Sequence, residues 1–135
     1  MNAAASINYL AVIVAAISSF VLGGLWYAPF LFGKAWMRET GLTEEQLGAR
    51  NMLVVFGFSF VLSLVGSFVF AMFLGPSPGL GLGFGAGLSA GLCWVAGSFG
   101  INYLFEKKSL KLWLINGGYH TLQYTLIGTV LGLLL

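Results

Sequence analysis

Long apolar runs, separated by two short charged segments, dominate the chain. Residues 1–33, 51–105 and 112–135 contain no Asp, Glu, Lys or Arg. A membrane-spanning helix needs about 20 predominantly apolar residues, at a rise of about 1.5 Å per residue. The pattern therefore predicts four spanning helices, at about residues 7–27, 51–74, 80–105 and 112–135.

The middle apolar run is too long for one span, and a turn divides it. Residues 75–79 read Gly-Pro-Ser-Pro-Gly, a sequence that stops a helix and favours a tight turn. The Gly-Leu alternation that follows superficially resembles a strand, but a lone strand would leave its backbone groups unpaired in lipid. The predicted fold is all-α. It is a single transmembrane domain over residues 1–135, with four transmembrane helices and a short interfacial helix between the first two.

The basic residues give the orientation of the predicted bundle. All six Lys and Arg fall in the two connections, residues 28–50 and 106–111, which four spans place on one face. Lys and Arg accumulate on the cytoplasmic side of membrane helices. We therefore expect a multi-pass protein of the cytoplasmic membrane, with both connections in the cytoplasm and both termini on the outer face.

The first connection carries local helix signals of its own. Aromatic residues and cations each recur four positions apart, which is typical of a short amphipathic helix at the membrane surface: Phe32 and Trp36, Lys34 and Arg38. Gly41 would end this helix. Thr43 and Gln46 then match a capping box at the start of another short helix.

Composition narrows the class of protein and its partners. Hydrophobic residues make up 59% of the chain and charged residues only 7%, against about 25% charged in an ordinary soluble domain. The main partner is therefore membrane lipid. Six basic residues in two short loops make no nucleic-acid-binding groove. A single cysteine, Cys93, excludes a disulfide within the chain, and we expect no metal site and no cofactor.

Small residues recur at spacings of four on the predicted helices. The third span carries an all-glycine row, and the fourth begins a similar row: Gly79, Gly83, Gly87 and Gly91; Gly117 and Thr121. In lipid, close packing of small residues supplies much of the attraction between helices. These rows could pack the monomer, or they could support a homo-oligomer or contact with other membrane subunits. The sequence leaves both interpretations open.

Polar side chains gather on one side of the fourth span. Asn116, His120 and Gln123 fall within a narrow wedge at about 100° per residue, and Tyr124 lies beside it. Polar groups are costly against lipid, so the wedge should face protein or a hydrated cavity. With Asn102, at the end of the third span, these residues could form a polar cleft facing the cytoplasm, or His120 and its neighbours could have a structural role, closing hydrogen bonds between helices. For the aromatic residues at the same depth, we expect an interfacial belt.

Chemistry-bearing groups are scarce, which limits the candidate functions. Ion-coupled pumps usually have carboxylates or cations in their spans, and no predicted span here contains one. No nucleophile–base–acid set is present either. His120 as a cofactor ligand would need a second ligand that one chain does not supply. We expect a non-enzymatic, self-associating or accessory membrane subunit. The alternative is a small transporter or channel that uses the cleft around Asn102, Asn116 and His120, with an unknown substrate.

Two longer motifs indicate a family. Residues 24–29 read Gly-Leu-Trp-Tyr-Ala-Pro and residues 31–37 read Leu-Phe-Gly-Lys-Ala-Trp-Met; near the C-terminus, residues 115–120 read Ile-Asn-Gly-Gly-Tyr-His. This pattern resembles the bacterial domain of unknown function 1761 family. The resemblance implies a small four-helix bacterial membrane protein, and it carries over no catalytic or binding residue.

A faint internal repeat is also visible. Residues 24–27 and Trp36 are matched by residues 100–103 and Trp113, each set at the end of an odd-numbered span and leading into a basic connection. The match could come from two parallel copies of a two-helix hairpin, or from convergent use of the same residue types where helices end at the membrane surface.

Overall fold

The computed structural model describes residues 7–135, and within that range all regular secondary structure is helical. Three of its helices are long and apolar enough to cross a membrane: Tyr9–Trp26, Met52–Leu74 and Gly79–Phe105. We number the elements α1 (Tyr9–Trp26), α2 (Gly33–Thr40), α3 (Glu44–Gly48), α4 (Met52–Leu74), α5 (Gly79–Ser89), a π-helical segment (Ala90–Ala96), α6 (Gly97–Phe105) and α7 (Leu110–Leu134).

Polar residues at the helix starts explain where the long helices begin. Asn8, Asn51 and Ser109 precede α1, α4 and α7, and each side chain accepts a hydrogen bond from the backbone N–H three residues later. Such caps satisfy one of the N–H groups that a helix start leaves unpaired. Gly75, in a positive-φ conformation (φ 77°), ends α4 at the predicted turn. The predicted helix boundaries therefore agree with the structure to within two residues.

The first connection folds as two short helices. Gly41 ends α2 in the left-handed conformation (φ 75°). Thr43 and Gln46 form the reciprocal capping box, in which the Thr43 N–H donates to Gln46 Oε1 (2.9 Å) and the Gln46 N–H donates to Thr43 Oγ1 (3.1 Å). The two short helices and the capping box are confirmed.

The fourth predicted span is the long helix α7, which differs from the other three. It has 25 residues, enough for about 37 Å. Its polar wedge makes α7 less apolar than the three helices whose length and composition suit a membrane crossing. It is also the central helix, packing against α1, α2, α5, the π segment and α6. Because its neighbours cover it, α7 can carry polar groups that an outer helix could not.

The predicted glycine row forms a backbone-close crossing inside the monomer. A methyl group added at Gly83 would fall on the carbonyl oxygen of Gly128, and one added at Gly87 would fall on that of Tyr124. At Gly91 the added carbon would lie 2.8 Å from both the His120 oxygen and the Thr121 Cα.

The remaining predicted packing residues lie at the two ends of this contact. Gly79, with φ 81°, begins α5 and places its carbonyl against Gly132, while Gly117 faces Ala96. The row on α5 and the π segment thus packs against α7 of the same chain.

The middle of the third long helix contains an irregularity that the sequence did not predict. Ala90–Ala96 forms a π-helix between α5 and α6. The Trp113 indole N–H donates to the carbonyl of Ala96, at the end of this segment (2.8 Å). π-helical turns are rare and often lie at functional sites.

Packing is tight at one end of the bundle and loose at the other. The main apolar cluster joins the start of α1, the end of α4, the π segment and the end of α7: Ala11, Val12, Ala15, Phe70, Ala71, Ala90, Ile127 and Leu131. On α4, only Ser67, Phe70 and Ala71 are buried. The helices therefore meet near the turn at residues 75–78, whereas the first half of α4 diverges from α6 and α7.

Candidate functional site

A large cavity fills the space where α4 diverges. Its volume is about 810 Å³, and it is lined by α1, α4, α7, the π segment and α6 together with the first connection. On the α4 side, the lining residues recur every three or four positions, so they form one helical face: Met52, Val55, Phe56, Ser59, Leu62 and Ser63.

The mouth of the cavity lies at the charged connection. Lys34, Glu44 and Arg50 line it there, and all three side chains are exposed. Met37 and Leu47 add an apolar border. The cavity thus runs from the charged face of the molecule into the space between the long helices.

The inner end of the cavity carries the polar wedge of α7. His120 lies ten residues into α7, about 15 Å along its axis. Its Nδ1 is 2.7 Å from Gln123 Oε1. The imidazole ring stacks on Phe99 of α6, with ring centroids 5.0 Å apart and planes 12° from parallel. A fixed, uncharged hydrogen-bonding pair therefore lies halfway along the central helix.

Asn116 joins three helices one turn nearer the charged face. Its Oδ1 accepts a hydrogen bond from the Tyr27 hydroxyl (2.6 Å), and its Nδ2 donates to the Tyr103 hydroxyl (2.7 Å). Next to it, the Trp26 indole donates to the backbone carbonyl of Ile115 (2.9 Å). The polar groups of these aromatics therefore bond between helices within the bundle, and the interfacial belt stays a prediction.

The structure brings most of the predicted cleft residues together. Asn116, His120, Gln123 and Tyr124 all line the cavity. Asn102 does not, because its side chain is exposed on α6 while the neighbouring Tyr103 makes the contact with Asn116. A shift of one residue turns a helical side chain by about 100°, which accounts for the difference.

Several lining residues were not singled out as cleft residues from the sequence. Ser59 and Ser63 of α4 lie four residues apart, which is the spacing expected of small packing residues, and both line the cavity. Phe99 and Tyr119 carried only the general signal of aromatics on the helices beside the polar wedge. The pattern identified their helical faces, but it did not indicate that α4 stands away from α6.

The lining suits the binding of a partly apolar molecule. Aromatic side chains form much of the wall, including Phe20, Phe56 and Phe99. Neutral hydrogen-bonding groups form the inner end, and charged side chains lie only at the mouth. Such a cavity can hold a molecule that is uncharged where it reaches His120.

Comparisons with known proteins give a family without an activity. Neither curated proteins nor solved structures match the chain. A family model described as a protein of unknown function, DUF1761, matches residues 10–132. This match covers nearly the whole chain, including both sequence motifs and every helix of the cleft. The chain therefore belongs to the domain of unknown function 1761 family.

Proposed function

We propose that this protein is a non-enzymatic transporter of the bacterial cytoplasmic membrane, which carries a small uncharged molecule through the cleft. The observation that carries the proposal is a cavity of about 810 Å³ that begins at the charged connection and ends at His120 and Gln123. Binding sites in many transporters lie near the membrane midplane, at the interface between repeated halves. His120, at the inner end of the cavity, lies about 15 Å along α7, which would be close to the midplane if α7 crosses a bilayer.

In this proposal α7 is the fourth spanning helix. Its length of about 37 Å exceeds the roughly 30 Å hydrocarbon core. Its polar side chains face the cleft and its neighbours, which removes the cost of exposing them to lipid. The two basic connections then lie in the cytoplasm, both termini lie outside, and α2 rests at the membrane surface.

The same residues favour facilitated movement over ion-coupled transport. Apart from Lys111 in the first turn of α7, the long helices contain no Asp, Glu, Lys or Arg, so no carboxylate there would carry a proton or a metal ion. The polar contacts at the inner end come from neutral groups. A neutral solute moving down its own gradient fits this lining best.

Thiol labelling tests whether the cavity is filled with water and open to the cytoplasm. In a Cys93→Ser background, Ser63→Cys places a thiol on the cavity face of α4. Val61→Cys is the matched control, because Val61 is two residues away, 52% exposed and outside the cavity lining. We expect a water-soluble thiol reagent, applied from the cytoplasmic side, to label Ser63→Cys at least about tenfold faster, since thiolates form poorly in lipid.

Solute flux tests the transport step itself. Proteoliposomes are mixed with an excess of glycerol or urea outside, and their swelling is followed by light scattering. We expect faster swelling than in empty liposomes, and a return to the empty-liposome rate when Ser63→Cys is coupled to a bulky maleimide. Equal labelling of Ser63→Cys and Val61→Cys, together with no protein-dependent swelling, would contradict the proposal.

Self-association, the first functional hypothesis from the sequence, stays a prediction. The glycine row that motivated it packs against α7 of the same chain, so it is not free for a second copy. A protein mass measured in detergent, corrected for bound detergent, tests it directly. A mass near 14.4 kDa would show a monomer.

A further inference from the structure

The hydrogen-bond pair at the inner end of the cleft has a fixed polarity. A glutamine Oε1 can only accept, so at 2.7 Å from it the Nδ1 of His120 must carry the proton. In a neutral imidazole the other ring nitrogen, Nε2, is then a bare acceptor. The Gln123 amide nitrogen, which is on the same side chain as Oε1, can only donate.

Both outer atoms of this pair are available to a ligand. Within residues 7–135, neither His120 Nε2 nor Gln123 Nε2 has a hydrogen-bond partner. Among the described residues, Ser67 Oγ is the one side-chain polar atom that is fully enclosed and has no hydrogen-bond partner. The two nitrogens also lack a partner, so they are not fully enclosed and can be reached by a ligand. Gln123 is only 8% exposed and, like His120, lines the cavity. Because both residues line the cleft, the cleft offers a ligand an approach to the two nitrogens.

We propose that the cleft recognises a neutral ligand that offers a donor and an acceptor side by side, as a hydroxyl or a carboxamide group does. The ligand N–H or O–H donates to His120 Nε2, and its oxygen accepts from the Gln123 amide. The rest of the ligand packs on the aromatic wall formed by Phe99 and Phe56. This assignment rests on the proposed function, since it names the class of substrate for the same cleft.

The pair also determines which molecules are rejected. A ketone or quinone has acceptor atoms only, so it leaves His120 Nε2 without a donor. A carboxylate would bring a negative charge against that lone pair, at the inner end of the cavity, away from Lys34 and Arg50 at the mouth. A site built around such a pair discriminates strongly against analogues that lack the matching group, because its own polar atoms are then left unpaired.

The single histidine makes the test direct. Protein labelled with [15N]histidine, in nanodiscs and with any histidine tag removed, gives ring-nitrogen signals from His120 alone. At mildly alkaline pH, we expect Nδ1 to be protonated and Nε2 to be bare, with each assigned by its coupling to the ring protons. The opposite tautomer in the free protein would overturn the inference.

Three probes of nearly equal size then test recognition. Benzamide has a donor beside its acceptor, acetophenone replaces the amide NH2 by a methyl group, and benzoate carries a charge. We expect benzamide to shift the Nε2 signal saturably, and acetophenone and benzoate to bind at least about tenfold more weakly. An equal response to acetophenone, or no saturable response to benzamide, would overturn the inference.

Two variants show that the pair itself is responsible. Gln123→Leu removes both the partner of Nδ1 and the donor to the ligand, so we expect a mixture of tautomers and about tenfold weaker benzamide binding. Thr129→Val is the control, because it removes an α7 hydroxyl that lies outside the cavity lining and bonds only to the Thr125 carbonyl of the same helix, and it should change neither result. If benzamide did not bind as expected but Ser63→Cys was labelled quickly, the ligand class alone would be rejected. Absent labelling would instead reject the open cleft.

Discussion

The glycine crossing between α5 and α7 leads to a quantitative prediction. Gly87→Ala adds one methyl group where the backbones meet, whereas Gly85→Ala adds the same group two residues away, with nothing within 4 Å. Both positions lie within α5. We expect Gly87→Ala to lower the free energy of unfolding relative to Gly85→Ala.

The size of the difference follows from the contacts at Gly87. The added carbon would overlap the Tyr124 carbonyl oxygen and lie 3.0 Å from the Thr125 Cα, whereas carbon atoms prefer about 3.5–4.0 Å. The helices must therefore separate by roughly 1 Å, and overpacking of this kind typically costs about 1–3 kcal/mol. Alanine also favours a helix over glycine by about 1 kcal/mol, equally at both positions. The difference between the variants thus isolates the steric cost, about 1–3 kcal/mol.

Reversible unfolding by SDS in mixed micelles measures this difference. Trp113 lies at the same helix contact, bonded to Ala96, so tryptophan fluorescence should report the separation of the helices. Gly85→Ala should be as stable as the original chain or slightly more so. If Gly87→Ala proved as stable as Gly85→Ala, the backbone-close crossing would be refuted, and the glycine row would face lipid.

Three further predictions concern the polar network, the orientation and the histidine. Asn116→Leu removes two interhelical hydrogen bonds, and such bonds average about 0.6 kcal/mol each in membranes. In the same SDS titration we therefore expect Asn116→Leu to lower the free energy of unfolding by about 1 kcal/mol, and Tyr103→Phe to lower it by about half as much. If neither variant lost stability, the network would be contradicted. In a cysteine-free background, an impermeant maleimide should label a cysteine at Ser77 on intact cells and one at Lys108 only after lysis, and reversed labelling would invert the topology. We expect His120→Asn and His120→Leu to keep the free energy of unfolding within about 1 kcal/mol of the original chain and to lose solute flux. If flux instead fell only in variants that also lost stability, the role of His120 would be structural.

The sequence predicted the elements of the fold well because their signals are local. Asn51 and Ser109 cap helices through bonds to residues three positions later, and Gly41 ends α2 by its own backbone conformation. The glycine row also acted as predicted, because a four-residue period puts Gly83 and Gly87 on one face. The sequence left open which helix would meet that face, and the structure shows it to be α7.

The cleft was predicted less completely because it depends on distances between helices. The α7 wedge indicated His120 and Gln123 from their shared face, but their tautomeric polarity required the 2.7 Å contact. Ser59 and Ser63 have the spacing of packing residues and nevertheless line a cavity. Periodicity identifies the face of a helix and does not say whether a neighbour covers it. The π segment, which affects the wall that carries Phe99, had no local signal at all.

Two helix pairs, α5 with α7 and α1 with α4, are packed unequally, and this inequality opens the cleft. Glycines bring α5 and α7 into backbone contact. Between α1 and α4, Phe20 of α1 meets Phe56 and Phe60 of α4 edge-on, with ring centroids 5.9 and 5.7 Å apart.

At the other end of α4 the contact residues are small or tightly packed, and Ser67 and Ala71 are almost fully enclosed. A helix held close at one end and spaced by phenylalanines at the other must diverge along its length. Two tyrosines, Tyr27 and Tyr103, meet at Asn116 and keep α1 and α6 on α7. The divergence of α4 is therefore left as an opening, and the polar groups of α7 lie at its inner end.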